Sequence, residues 1–227
     1  MNRALRAIAI LLTVALAACE KSSDLARTST DGECAHCVTA DESREAPPKG
    51  SYATKWLAPS ERRDAILIPP FQNQDGRTVT FEDLRGAPVA VSFIYTRCEN
   101  QRKCPLVAET MAALQTRLDH ANVVPRPRLA LITYDPEYDT PKYLKDFGEE
   151  HGLRFTDAVM LLRPEPDRKQ GLFEELNVRV NFNERGVNLH GVQLILLDKQ
   201  GRFARAHHTL IWNNDAVLAD LRQLARE

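Results

Sequence analysis

Apolar residues are spaced differently in successive stretches of this chain, and the spacing predicts the elements. Ala7 to Ala18 is almost wholly apolar, preceded by Arg3 and Arg6 with no acid. About a dozen residues is too few to cross roughly 30 Å of hydrocarbon as a helix, but it suits the hydrophobic region of an export signal. From Glu20 to about Leu57 the chain is rich in Ser, Thr, Asp, Glu and Pro and follows neither a helical nor a strand period. Such a stretch cannot bury enough surface to offset the entropy of ordering, so a tether is expected. Ile66-Leu67-Ile68, Pro69-Pro70, a turn at Asn73-Gln74-Asp75-Gly76 and the alternating Thr78-Val79-Thr80-Phe81 then predict a small hairpin leading into the domain.

Val89 to Tyr95 is an unbroken apolar and β-branched run, the mark of a strand buried on both faces of a sheet. Val107, Met111, Leu114 and Leu118 recur at helical spacing after it, and Arg128 to Tyr134 is a second buried strand, which makes a β-α-β unit. Helices are expected from about Thr140 to His151, behind Pro141 at the first helical position, and from about Lys169 to Leu176. Val192 to Leu197 and Phe203 to His207 predict a hairpin around Lys199-Gln200-Gly201. Val217, Leu218, Leu221 and Leu224 share one face of a last helix, Asp215 to Ala225. Strands and helices that alternate and close with a hairpin and a helix give the thioredoxin-like order, an α/β fold with a central sheet flanked by helices. The expected organisation is a signal at 1–18, a tether at 19–57 and one domain at 58–227, without internal repeats.

Thirty Lys and Arg against 31 Asp and Glu give a formal charge of −1, and removal of Arg3 and Arg6 with the signal would leave −3. The bases are interleaved with acids and form no basic run, which removes nucleic acid from the candidate partners. Leu16-Ala17-Ala18-Cys19 resembles the lipobox of bacterial lipoproteins, in which the cysteine sulfur takes a diacylglycerol. Cys19 is therefore expected to be lipidated, holding the chain to a membrane through lipid alone on the periplasmic side, and Glu20 after it leans the sorting towards the outer membrane. Four cysteines remain in two pairs, Cys34 with Cys37 and Cys98 with Cys104. An oxidising compartment permits bridges, so a metal role for either pair requires a thiol reductant.

Cys98 follows the end of a predicted buried strand, and Cys104 precedes Pro105 at the start of an amphipathic helix. Both sulfurs then lie in one strand-to-helix loop. Cys104 at the N-cap would face unpaired backbone donors and the positive end of the helix dipole, which favours a thiolate, at once a nucleophile and a soft-metal ligand. A structural disulfide is the plainer alternative.

Phe93-Ile94-Tyr95-Thr96-Arg97-Cys98, Cys104-Pro105, Asp135-Pro136-Glu137-Tyr138-Asp139-Thr140-Pro141, and His190 ahead of Leu194 to Arg202 together resemble the Sco/SenC family over about Ile66 to Glu227. The resemblance implies a thioredoxin-like copper chaperone that assists assembly of the binuclear copper site of cytochrome c oxidase, with copper held by Cys98, Cys104 and His190. Two thiolates suit Cu(I), and two thiolates with an imidazole also suit Cu(II). The implied partners are an oxidase subunit or another cuproprotein and a thiol reductant. The family pattern usually has three residues between the cysteines, whereas Glu99-Asn100-Gln101-Arg102-Lys103 makes five here.

The remaining candidates sit around this trio. Arg97, Arg102 and Lys103 would favour thiolates and an acidic partner, while Asp135 to Pro141 is read as a turn and a capped helix start. Cys34-Ala35-His36-Cys37 in the tether is either an auxiliary metal or redox group serving Cys98 and Cys104, or a local pair; Val38 after it rules out haem attachment. His207-His208 is an auxiliary metal contact or an exposed pair. The rival to a chaperone is a thiol-disulfide oxidoreductase in which Cys98 attacks and Cys104 resolves. A peroxidase is weaker, since neither cysteine lies in a recognisable peroxidatic motif.

Overall fold

A computed structural model describes residues 53–64, 70–184 and 186–227. The signal, Cys19, Cys34, His36, Cys37 and Ile66-Leu67-Ile68 lie outside the described residues. In chain order come β1 (Phe71–Asn73), β2 (Thr78–Val79), β3 (Val89–Ile94), α1 (Cys104–Ala121), β4 (Arg128–Thr133), α2 (Pro141–Glu150), β5 (Val159–Pro164), α3 (Lys169–Glu175), β6 (Val180–Asn183), β7 (Gly186–His190), β8 (Leu194–Leu197), β9 (Phe203–His207) and α4 (Asn214–Arg226).

Seven strands form one sheet in the order β2-β1-β5-β4-β3-β8-β9. β3, β4 and β5 run parallel, and β3 pairs antiparallel with β8. All six residues of β3 are buried, which is why that run carries no polar alternation. One face packs on α1, α2 and α4 through Met111, Leu114, Leu144, Phe147, Val217 and Leu221. The other is covered by α3, through Leu172 and Phe173. Among the described residues no helix is long and apolar enough to cross a membrane.

The predicted elements and the observed ones differ in four places. β5 occupies Val159–Pro164, where the sequence reading had no element, and completes the parallel trio beside β4. β6 and β7 form a separate two-stranded ribbon, also unforeseen. His190 accordingly ends a strand, at a position for which the sequence reading had no element. Residues 53–57, read as the end of the tether, lie along β9, with the Thr54 N–H donating to the Ala206 carbonyl at 2.8 Å and the Leu57 N–H to the Ala204 carbonyl at 3.0 Å.

Parallel strands put equivalent ends together, so the loops following β3 and β4 meet at one pole of the sheet. They are joined there by Asp139, fully buried, which accepts from the Thr96 N–H and hydroxyl and from the Thr133 hydroxyl. Thr140, not Asp139, caps α2, with its hydroxyl accepting from the Tyr143 N–H. Asp139 thus braces the loop that carries Cys98 instead of serving the helix.

Candidate metal centre

Cys98 leaves β3 in a turn closed by its own N–H donating to the Tyr95 carbonyl at 3.3 Å. The five residues to Cys104 are gathered by Asn100, whose side-chain oxygen accepts from the Arg102 N–H and whose carbonyl accepts from the Lys103 N–H, both at 2.9 Å. This fold of the loop is how the long spacing still returns the second sulfur to the first. Cys104 is the first helical residue and Lys103 the N-cap, one position earlier than predicted.

His190 comes from the far side, at the end of β7. Its Nδ1 lies 3.2 Å from the Gly191 carbonyl, which also accepts from the Tyr134 hydroxyl at 2.8 Å. A carbonyl can only accept, so Nδ1 carries the proton and Nε2 is left with a lone pair. The ring is clasped by Tyr134, at 4.9 Å between centroids and a 39° tilt, and by Tyr95, edge-on at 5.5 Å. Nε2 lies 3.8 Å from Cys104 Sγ, and the ligand atoms of Cys98, Cys104 and His190 are all within 4.8 Å of one another. No other described residues form a group of three such side chains. Two sulfurs and an unprotonated imidazole nitrogen are a donor set for a soft or borderline metal.

The two thiols are unlike. The Cys104 thiol donates to Cys98 sulfur, and the backbone N–H groups of Cys104 and Asn100 add to this; together they outweigh burial and hold Cys98 far below the ordinary thiol range. Burial pushes Cys104 up, and the neighbouring Cys98 charge pushes it further. This reverses the expectation that the helix start favours a thiolate at Cys104: the residue is fully buried, so desolvation overrides the dipole. Burial also raises Tyr95, with the Cys98 charge adding to it, which keeps its phenol protonated and able to donate.

Cys98 and His190 line an open cleft of about 380 Å³ together with Tyr95, Arg97, Glu99 and Lys103. Arg97 reaches across to Asp135 and lies 4.0 Å over the Tyr138 ring. Asp135, predicted as scaffolding, is the anchor of that arginine. Gly186 opens β7 at φ +109, and a Cβ there would stand 3.0 Å from Arg97 Nη2, so this position needs a glycine both for its backbone and for the approach. His207 lies elsewhere: it is buried on β9 with Nε2 3.4 Å from Asp220, while His208 is exposed. Sequence reasoning missed Tyr134 and Tyr95 as the support of His190, because both read as the ends of core strands.

Residues 60–226 match the SCO1/SenC family model. A SCO1 protein homolog of Bacillus subtilis (strain 168) is 40% identical over 85 residues, 37% of this chain and 42% of that protein, so the match spans less than half of the relative's length. The structure of BsSco, a member of the Sco family of cytochrome c oxidase assembly proteins, is similar with a TM-score of 0.60 and 28% identity, covering 70% of this chain and 93% of that one. ScoI of Bradyrhizobium japonicum with copper bound shares the fold at a TM-score of 0.57 and 22% identity, covering 68% and 96%. With the fold, the cysteine pair after β3 and the histidine facing it in place, the match over 60–226 means that this chain belongs to the SCO1/SenC family.

Proposed function

We propose that the chain binds copper through Cys98, Cys104 and His190 and delivers it to a cuproprotein, the binuclear copper site of cytochrome c oxidase being the expected client. The observation that carries this is the convergence of two sulfurs and the Nε2 lone pair within 4.8 Å. Copper is cargo here, and the chain's own residues define how it is held. Cys98 offers a charged sulfur at the cleft, Cys104 offers a second once its proton leaves, and Gly191 and Tyr134 orient the imidazole. Thiolates select a soft ion, and family relatives have been seen both with copper and in oxidase assembly. An open cleft lets a client ligand enter while the ion is still held, which is what transfer by ligand exchange requires.

Location follows from the sequence: an export signal ending at Ala18 and lipid on Cys19 would hold the domain at a membrane on the periplasmic side. The competing activity, thiol-disulfide exchange on a client, is favoured by the inequality of the cysteines. A thiolate at the cleft and a buried, protonated partner are the attacking and resolving arrangement.

The test is copper titration of the reduced full chain carrying Cys34→Ser and Cys37→Ser, with and without His190→Ala. One copper per chain is expected, with thiolate-to-Cu(II) absorption and an affinity at least tenfold weaker in the variant, about 1.4 kcal/mol. Absence of tight copper, with disulfide reduction intact and indifferent to His190, would leave the oxidoreductase.

A further inference from the structure

The exposed apolar side chains are gathered at one end of the molecule. Among the described residues six large apolar or aromatic side chains are exposed, Val124, Tyr138, Tyr143, Leu189, Leu210 and Ile211. Five of these belong to segments at the copper pole. Tyr138 is in the connection that leaves β4, and Tyr143 is in the first turn of α2. Leu189, 61% exposed, precedes His190 on β7. Leu210 and Ile211 follow β9, whose end stands opposite the start of β8; β8 runs antiparallel to β3, so this loop too leaves the sheet on the side of Cys98. Val124 alone is at the other pole, ahead of Arg128, which pairs with Val89 at the start of β3.

The five are close enough for one partner. In the sheet order β4-β3-β8-β9 the outer strands are three spacings of about 4.8 Å apart, about 14 Å in all. A standard protein interface covers about 800 Å² on each side, a disc about 32 Å across, so a partner seated over the cleft would reach every one of them. Part of the face is already ordered for contact. The Arg97 guanidinium lies 4.0 Å over the Tyr138 ring, and Tyr138 stacks on Tyr143 with 5.1 Å between centroids and 14° between planes. Asp135, buried, holds the arginine from beneath. Tyrosine and arginine side chains fixed in advance lose little freedom on association, which suits them as anchors of an interface.

Charge adds a sign. Arg97, Arg102 and Lys103 flank the cysteines, and the exposed Arg179 adjoins Gly191, whose N–H donates to its carbonyl at 2.9 Å. The acids beside them are Glu99 and Asp135, while Glu137 and Asp146 are matched by Lys169 and Lys142, and Glu184 is followed by Arg185. Four cations against two acids make this pole positive in a chain whose formal charge is −1.

We propose that this face docks a protein whose copper-accepting surface is apolar with an excess of carboxylates, the stack of Arg97, Tyr138 and Tyr143 seating one side of it and Leu189 another. The inference rests on the copper-delivery reading and names the chemistry of the client's face. Ligand exchange needs the client's own ligands inside the cleft, so the client has to cover the rim, and the rim is where the exposed apolar side chains stand. A lipid surface would also meet apolar and basic groups, but it offers copper no ligand to move to.

The test uses the reduced, copper-free full chain and, as probe, the copper-free soluble domain that carries the binuclear copper site of cytochrome c oxidase. Benzoylphenylalanine in place of Tyr143, Leu189 or Leu210 should cross-link to that domain on illumination, and in place of Val124 it should not. Raising NaCl to about 0.5 M should lower the yield severalfold. Tyr143→Glu and Leu189→Glu should each cut both the cross-linking, read from Leu210, and the rate of copper transfer from the loaded chain by at least about tenfold, with copper affinity unchanged. Val124→Glu should alter neither. Cross-linking no stronger from the copper pole than from Val124, transfer indifferent to both glutamates, or capture of the chain by phosphatidylglycerol vesicles in place of the client domain would each overturn the proposal. Docking is read without copper, so a chain that docks but holds no copper fails the delivery reading alone, and one that holds copper but does not dock fails this one.

Discussion

At the scale of single residues, the inequality of Cys98 and Cys104 has a direct chemical consequence. A folded pKa far below the ordinary thiol value of about 8.5 means that Cys98 is already a thiolate at pH values where a free thiol is protonated. Alkylation of reduced, metal-free protein at Cys98 should therefore stay on a plateau as pH falls from 8 to 6, with Cys104 unmodified; a rate falling tenfold per pH unit over that range would refute the assignment. Tyr134→Phe keeps the ring under His190 and removes only the hydroxyl that shares the Gly191 carbonyl. It should leave folding intact and shift the thiolate-to-Cu(II) absorption band, because the imidazole loses part of its orientation. Cys98, Cys104 and His190 were legible in the sequence through a strand, a helix start and a motif order. The protonation of Cys104 was not, since it depends on burial in the folded core, which no local pattern encodes.

Among the elements, those with strong periods were legible and those defined by long-range pairing were not. α1 and α4 show their apolar stripes, and β3 and β4 their unbroken runs. β5 is a short apolar run, Val159 to Leu162, which period alone does not separate from a piece of helix; its pairing with β4 and β1 decides it. The ribbon of β6 and β7 is half exposed and interrupted by polar residues, so it carries little hydrophobic signal, although it delivers the third donor. Gly186→Ala at the start of β7 would place a Cβ against Arg97 at a backbone angle unfavourable to other residues. The ribbon makes no strand pairing with the main sheet, so the thermal midpoint should change little while copper affinity falls at least severalfold. Calorimetry beside the copper titration checks both. Asp139→Ala, in contrast, orphans the Thr96 N–H and two hydroxyls at the brace between loops, and should cost about 1–3 kcal/mol in denaturant unfolding.

For the molecule as a whole, Arg62, in the stretch that runs along β9 into β1, ties that stretch to the end of α4 away from the copper pole. Arg62, with a side chain 1% exposed, pairs with buried Asp198 and with Glu227 at the end of α4. Burial alone would raise Asp198, but the Arg202 backbone and side chain and Arg62 outweigh it and hold it below the ordinary carboxylate value. A lowered folded pKa contributes stability that is full above the unfolded value of about 3.9 and is lost as pH falls through the folded one. Denaturant midpoints should accordingly decline below pH 4, and less steeply in Asp198→Asn. Arg62→Ala should cost about 1–3 kcal/mol at neutral pH, since it removes one of the two guanidinium partners of buried Asp198 while Arg202 remains.

His190 rides on a ribbon outside the seven-stranded sheet, while Cys98 and Cys104 are built into β3 and α1. A two-stranded ribbon has little stability of its own in water. The site is thus built from two pieces: the two sulfurs belong to the sheet and α1, whereas the imidazole is held to them by side-chain packing of Val180, Phe182 and Val187 and by the tyrosine clasp, not by strand pairing. Variants that loosen that packing should therefore weaken copper before they weaken the fold.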